Sequence, residues 1–174
     1  MANRSLTMPF GVTEPAPRHF IHTPISRAFS GLVAALADHV EAERDISAAD
    51  SRDPGFATWL LDAEAARTGV LGRIDAIRSA EVIRPEDRPL RHMAVICYLL
   101  MQAGSNAEFL EARQVLDRAP ALFACPGDGA VAWRCRQMLR STRLRIREMS
   151  ALPCHIDPCE IEPDVPEIAA PVPA

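Results

Sequence analysis

Four arginines near the carboxyl end of the chain have the type and spacing to bind an anion or an acidic partner. They recur at intervals of four, three and four residues and are flanked by two apolar side chains: the arginines are Arg136, Arg140, Arg143 and Arg147, and the apolar neighbours are Trp133 and Leu144. On a helix these arginines, here called the arginine ridge, fall within about 60° of one another, on the side opposite the apolar stripe. Guanidinium groups bind carboxylates and phosphates through paired hydrogen bonds, and Trp is a side chain enriched at interfaces.

The arginine ridge has three interpretations. It is a surface for a protein partner, a surface for nucleic acid, or a solvated face with Trp133 folded under the loop 121–124. The segment 128–149 has a net charge of +4, from six Arg against Asp128 and Glu148, whereas the whole chain has a net charge of −4. Because nucleic-acid-binding domains are normally basic, the overall charge favours a protein partner over nucleic acid.

Cysteine and histidine side chains near both ends could in principle bind zinc. The residues are Cys154, His155 and Cys159 at the carboxyl end, and His19 and His22 at the amino end. Cys154 and Cys159 have four residues between them, at the edge of the usual spacing, and no second closely spaced cysteine pair follows. We therefore predict no metal site and no cofactor.

Cys125 precedes a helix start, a position where a thiolate can be favoured. A catalytic thiol also needs a base, and His155 is the one histidine within thirty residues of Cys125 on the carboxyl side. We interpret Cys125 as an ordinary loop cysteine. The sequence contains no glycine-rich phosphate loop, no His-Glu-x-x-His and no nucleophile elbow. Enzymatic activity is the weaker class, and a thiol- or metal-dependent enzyme stays as an alternative.

The elements that position these residues are predicted to be helices. Hydrophobic residues make up 48% of the chain and aromatic residues only 5%, which suits close helix packing better than a β-sandwich. We predict an all-α fold, a compact bundle of about five helices. The predicted ranges are 24–44, 54–79, 86–103, 106–118 and 129–150.

The third predicted helix contains the apolar run 93–101, which has no charge, no Gly and no Pro. A helix that is apolar on all sides must be covered on all sides, so we predict that it is the central helix of the core. The run is too short to span a membrane, which takes roughly 20 apolar residues. We expect no membrane insertion.

Local signals mark where the helices begin. Thr23, Asp53 and Asp128 each have the position of an N-cap, and Ser105 with Glu108 forms a predicted capping box. Glycines 69 and 72 interrupt the second helix, which indicates a bend or a close helix crossing.

The two ends of the chain differ in composition from the middle. Residues 1–23 are predicted to be a flexible lead-in, 24–150 the helical bundle domain, and 151–174 a disordered acidic tail with six prolines, five acids and no Arg. The opposite charges predict that the tail covers the arginine ridge. Residues 1–12 lack the apolar run of a signal peptide, so we expect a cytoplasmic location.

These observations together predict a small cytoplasmic interaction or regulatory protein that presents its last helix to a protein partner. Nucleic-acid binding through the same arginines is the first alternative, and a thiol- or metal-dependent enzyme is the second.

Overall fold

Five α-helices make up most of residues 21–152, the part of the chain that this computed structural model describes. They are α1 (Pro24–Ala48), α2 (Phe56–Ser79), α3 (Asp87–Gln102), α4 (Asn106–Arg118) and α5 (Ala130–Ser150), with a 3-10 turn at Pro120–Phe123 between α4 and α5. Residues 21–152 contain no strand. The predicted all-α class and the number of helices are confirmed.

Successive helices run in opposite directions. Thr23 at the start of α1 donates a hydrogen bond of 2.6 Å to Asp87 at the start of α3, so these two helices begin at the same end. Ser30 of α1 lies 3.3 Å from the sulfur of Met138 in the first half of α5. The direction of α2 is reversed: Arg91 near the start of α3 donates to the carbonyl of Ala80 after the end of α2, whereas Met101 at the end of α3 accepts from Arg67 in the middle of α2.

Two of the predicted N-caps, Thr23 and Ser105, are confirmed. The Thr23 hydroxyl accepts a hydrogen bond of 3.0 Å from the amide of Ser26, and the Ser105 hydroxyl accepts one of 3.3 Å from the amide of Glu108. Glu108 accepts in return from the amide of Gly104, one residue before the expected position.

Two other predicted caps were wrong. Asp128 caps nothing: Gly129 is the N-cap of α5, without a side-chain hydrogen bond. Asp53 accepts from the amide of Gly55 in the turn before α2, and the helix begins at Phe56.

The core contains side chains from all five helices, and α3 is its central element. Leu90, Met93 and Leu100 of α3 are buried, and α3 contacts each of the other helices. The predicted burial on every side was wrong, because Val95 is 40% exposed and Leu99 is 44% exposed. The neighbouring helices leave one strip of α3 in contact with solvent.

The apolar stripe that the helical period predicts for α2 is buried only in part; it comprises Phe56, Leu60, Ala63, Val70, Ile74 and Ile77, joined by Trp59 and Leu71. Ala63, Val70, Ile74 and Ile77 are buried, whereas Leu60 is exposed. The reason is the difference in helix length, since α1 and α2 have 25 and 24 residues, against 16 in α3 and 13 in α4. The connected ends of α1 and α2 therefore extend beyond the helices that could cover them.

Of the two interpretations of glycines 69 and 72, a bend or a close helix crossing, the close crossing is wrong. A Cβ atom added at either glycine would meet no atom within 4 Å. The tight approach between α1 and α2 is at Gly31, where an added Cβ would lie 3.1 Å from Nε of Arg73.

The ends of the described chain refine the predicted boundaries. Leu152, placed in the tail by the sequence analysis, is 2% exposed and packs into the core. The remainder of the predicted tail, and residues 1–20, lie outside the described residues. No helix among residues 21–152 has the length and apolar character needed to cross a membrane.

Candidate functional site

Trp133 and Leu144 are the most outward apolar side chains of α5. Trp133 is 57% exposed and Leu144 is 51% exposed. The interpretation in which Trp133 folds under the loop 121–124 is therefore wrong. The helical period predicts an apolar stripe on α5, of which all but Val131 is buried, together with Ala132: Cys135, Met138, Leu139, Thr142, Ile146 and Met149. Val131 is half-buried.

The arginine ridge lies between these outward groups and the core and not directly opposite the core. Arg136 and Arg143 are half-buried, while Arg140 and Arg147 are exposed. The helical period explains this position. Trp133 and Leu144 lie opposite the middle of the apolar stripe, and the arginine ridge lies at one flank of that stripe. That flank faces the 3-10 turn and α4.

Arg136 holds the loop that leads into α5. Its Nη2 donates to the carbonyls of Gly127 and Cys125 and lies 3.4 Å from a carboxylate oxygen of Asp128. These bonds satisfy loop carbonyls that precede the helix. Arg136 is thus the one member of the ridge that pairs with a carboxylate among residues 21–152.

Arg140, Arg143 and Arg147 form no ion pair with any carboxylate among residues 21–152. The guanidinium carbon of Arg143 lies 5.7 Å from the centre of the Phe123 ring, a cation–π contact with the 3-10 turn. This contact holds Arg143 between two cavities. One, of about 180 Å³, is lined by Phe123, Arg136, Leu139, Arg140 and Arg143.

The second cavity, of about 230 Å³, lies between α4 and α5 and is here called the α4–α5 cleft. Its lining residues are Arg113, Leu116 and Asp117 from α4, and Arg143, Ile146 and Arg147 from α5. Sequence reasoning missed Arg113. Its position, one residue after the buried Ala112 and three before the buried Leu116, indicates the edge of the buried face of α4, but nothing in the sequence pairs α4 with α5.

A second polar cluster was also missed by sequence reasoning. His39 of α1 is buried, and its Nδ1 has no hydrogen-bond partner. The nearest carboxylate oxygen of Glu43 is 3.8 Å away, and both residues line a cavity of about 180 Å³ together with Arg67. Burial lowers the pKa of His39, and the nearby charge of Arg67 lowers it further. The sequence signal was a His on the apolar stripe of α1.

The three described cysteines are all reduced, and their pKa values are raised. Burial raises the pKa of Cys97 to about 12, and burial together with neighbouring Cys125 raises that of Cys135 to about 12. Burial also raises the pKa of Cys125, more than Arg136 lowers it. A thiol nucleophile needs the opposite shift, which agrees with the interpretation of Cys125 as a loop cysteine.

Residues 21–152 contain no group of three His, Cys, Asp or Glu side chains placed to hold a metal ion. The zinc-type residues Cys154, His155 and Cys159, like His19, lie outside the described residues. No model of a known protein family matches the chain. Comparison with curated proteins and with solved structures gives no match either.

Proposed function

We propose that the protein is a small cytoplasmic interaction protein that binds an acidic protein partner through the outer face of α5. This face comprises Trp133, Leu144 and the arginine ridge. The observation that carries the proposal is the exposure of Trp133 on the helix whose Arg140, Arg143 and Arg147 form no ion pair among residues 21–152. Trp is mostly buried in folded proteins, and Trp and Arg are the side chains most enriched among residues that dominate binding energy.

The charges of the face define the partner. Arg140, Arg143 and Arg147 have no ion pair with a described carboxylate, so an acidic surface would supply what they lack. Trp133 and Leu144 would supply apolar contact area. A partner segment with acidic side chains and one apolar pocket matches both features.

The experiment that tests the proposal has two stages. In the first, a photo-crosslinking amino acid replaces Arg140 on the proposed face or, as a control, Leu61 on α2, which is 64% exposed. The chain is expressed in its native host, and the crosslinked proteins are identified by mass spectrometry. We expect one dominant acidic protein that crosslinks at position 140 and not at position 61.

In the second stage, the affinity of the purified partner is measured for the parent and for two variants. Trp133→Ala should weaken binding by about 30-fold or more, the loss typical of a central aromatic anchor. Leu61→Ala should leave the affinity unchanged. Equal crosslinking at both positions, or equal affinities for Trp133→Ala and the parent, would contradict the proposal.

Nucleic acid is the second candidate, because segment 128–149 has a charge of +4. Salt separates the two candidates: phosphate contacts of a nucleic acid make log affinity fall steeply and linearly with log salt, whereas an interface centred on Trp133 depends less on salt. Crosslinking of RNA or DNA at position 140, with such a salt slope, would favour the second candidate.

A further inference from the structure

The α4–α5 cleft collects more positive charge than the residues around it neutralise. Arg113 enters from α4, and Arg143 and Arg147 enter from α5. Asp117 is the single acid of the lining, so the formal charge of the cleft is +2, from three Arg against one Asp. None of the three guanidinium groups lies within 4.0 Å of a carboxylate oxygen among residues 21–152.

The walls of the cleft are buried side chains, and they hold one of the three cations in place. Leu116 and Ile146 are buried and form its apolar floor. Arg143 is held against the ring of Phe123. Because both helices are packed on the core, the cleft is formed before any ligand arrives, and binding needs little backbone ordering.

We propose that the α4–α5 cleft binds a phosphate monoester dianion, presented by a phosphorylated side chain of the partner. A phosphate monoester has a charge of about −1.5 to −2 at neutral pH and three acceptor oxygens, which matches the charge of the cleft and its three guanidinium forks. A carboxylate has a single charge and would leave one cation unpaired. The volume of about 230 Å³ has room for the group and its bridging waters.

The distance between the cleft and Trp133 along α5 is also defined. Trp133 precedes Arg143 by 10 residues on α5 and Arg147 by 14, which are about 15 Å and 21 Å along a helix. An extended peptide covers that length in roughly five to six residues. The proposal rests on the proposed function, which supplies the partner. It specifies that the partner has a phosphorylated residue about five positions from the partner residue that packs on Trp133.

The first experiment uses inorganic phosphate, measured by calorimetry and by the shifts of the Arg Nε–Hε resonances at constant ionic strength. Sodium chloride at the same ionic strength is the reference. We expect saturable phosphate binding that Arg113→Gln weakens at least about tenfold, as for loss of a charged hydrogen bond. Arg118→Gln, an exposed arginine of α4 outside the cleft, should bind phosphate as the parent does.

The second experiment compares a short phosphoserine peptide, the same peptide without phosphate, and vesicles that contain phosphatidic acid. Binding of the phosphopeptide alone, lost in Arg113→Gln, is the expected result. Binding of the vesicles without the phosphopeptide would overturn the assignment to a protein. Equal phosphate affinity of the parent, Arg113→Gln and Arg118→Gln would overturn the site itself.

The two proposals fail separately. Arg113 lies on α4, outside the outer face of α5, so phosphate binding to the cleft can be measured with no partner present. If Trp133→Ala leaves partner binding intact while Arg113→Gln abolishes phosphate binding, the proposed function fails and the phosphate site stands. The reverse result removes the phosphate site alone.

Discussion

His39 is the buried titratable side chain with an unpartnered ring nitrogen among residues 21–152. The side chain is 8% exposed, and the carboxylate of Glu43 lies 3.8 Å away, beyond hydrogen-bond distance. Burial, and then the charge of Arg67, hold its pKa below the ordinary value of 6.5. The fold therefore favours the neutral ring.

This shift predicts how stability depends on pH. Above about pH 6.5 His39 is neutral in both the folded and the unfolded chain, and its contribution is fully present. As pH falls below that value, the unfolded chain takes up the proton first, so the free energy of unfolding should decrease until the folded pKa is passed. Urea unfolding at pH 7.5 and pH 5.5 measures the change.

The matched variants are His39→Gln and His92→Gln. Gln does not titrate, so His39→Gln should reduce the loss of stability between the two pH values, whereas His92→Gln, at an exposed position, should retain it. If both variants lose as much stability as the parent, His39 does not cause the pH dependence.

At the scale of the element, α3 provides two leucines that are neighbours in sequence and differ in environment. Leu100 is 2% exposed and Leu99 is 44% exposed. Leu100→Ala should cost about 2–5 kcal/mol, because it leaves a cavity in the core. Leu99→Ala should cost about 1 kcal/mol or less, since much of that side chain is already in water.

Urea midpoints of the two variants, with the helical signal as the readout, test this difference. A midpoint for Leu100→Ala equal to that of the parent would contradict the central position of α3. Equal losses in the two variants would instead show that Leu99 is covered.

Helix boundaries were predictable where the signal is local. The α4 range of 106–118 agrees with the structure, because Ser105 and Pro120 act on adjacent residues. The burial of whole faces was less predictable. An apolar run such as 93–101 indicates what a helix can bury, but the number of neighbours that reach Val95 and Leu99 depends on the lengths of the other helices.

At the scale of the molecule, the charge of the chain is unevenly distributed. Segment 128–149 has a charge of +4, and residues 153–174 have five acids and no Arg. The acidic segment is attached directly to the end of α5, which gives it a high effective concentration near the arginine ridge. It is expected to compete with an acidic partner.

Deleting residues 153–174 should therefore raise the affinity for the acidic partner at low salt. The deletion begins after Leu152 because that side chain is part of the core. The gain should shrink at about 0.3 M salt, where charges are screened within a few ångströms. Affinity measured at both salt concentrations is the readout.

The control for the deletion combines it with Arg140→Glu and Arg143→Glu. When both arginines are replaced by Glu, the acidic segment has no arginine ridge to cover. Deleting the segment from the substituted chain should therefore give no gain in affinity. If the truncated and full-length chains bind with equal affinity at low salt, the acidic segment does not compete.

The site was predictable in part. The spacing of the arginines and of Trp133 placed them near one another on the last helix, which needed the helical period alone. Arg113 and His39 could not be predicted as site residues, because their importance comes from helices that meet in the fold and are far apart in the chain. Arg136 was assigned to the surface, but its bonds to the Cys125 and Gly127 carbonyls became visible only with the loop in place.

The alternation of five helices has one more consequence. With an odd number of helices, the described chain enters at one end of the bundle, at Thr23, and leaves at the other, after Leu152. The two points are separated by roughly the length of α5, about 30 Å for its 21 residues. A fluorescent donor attached before Thr23 and an acceptor attached after Leu152 would thus measure a distance along the bundle axis. Their energy transfer would report separation of the helices as the chain unfolds.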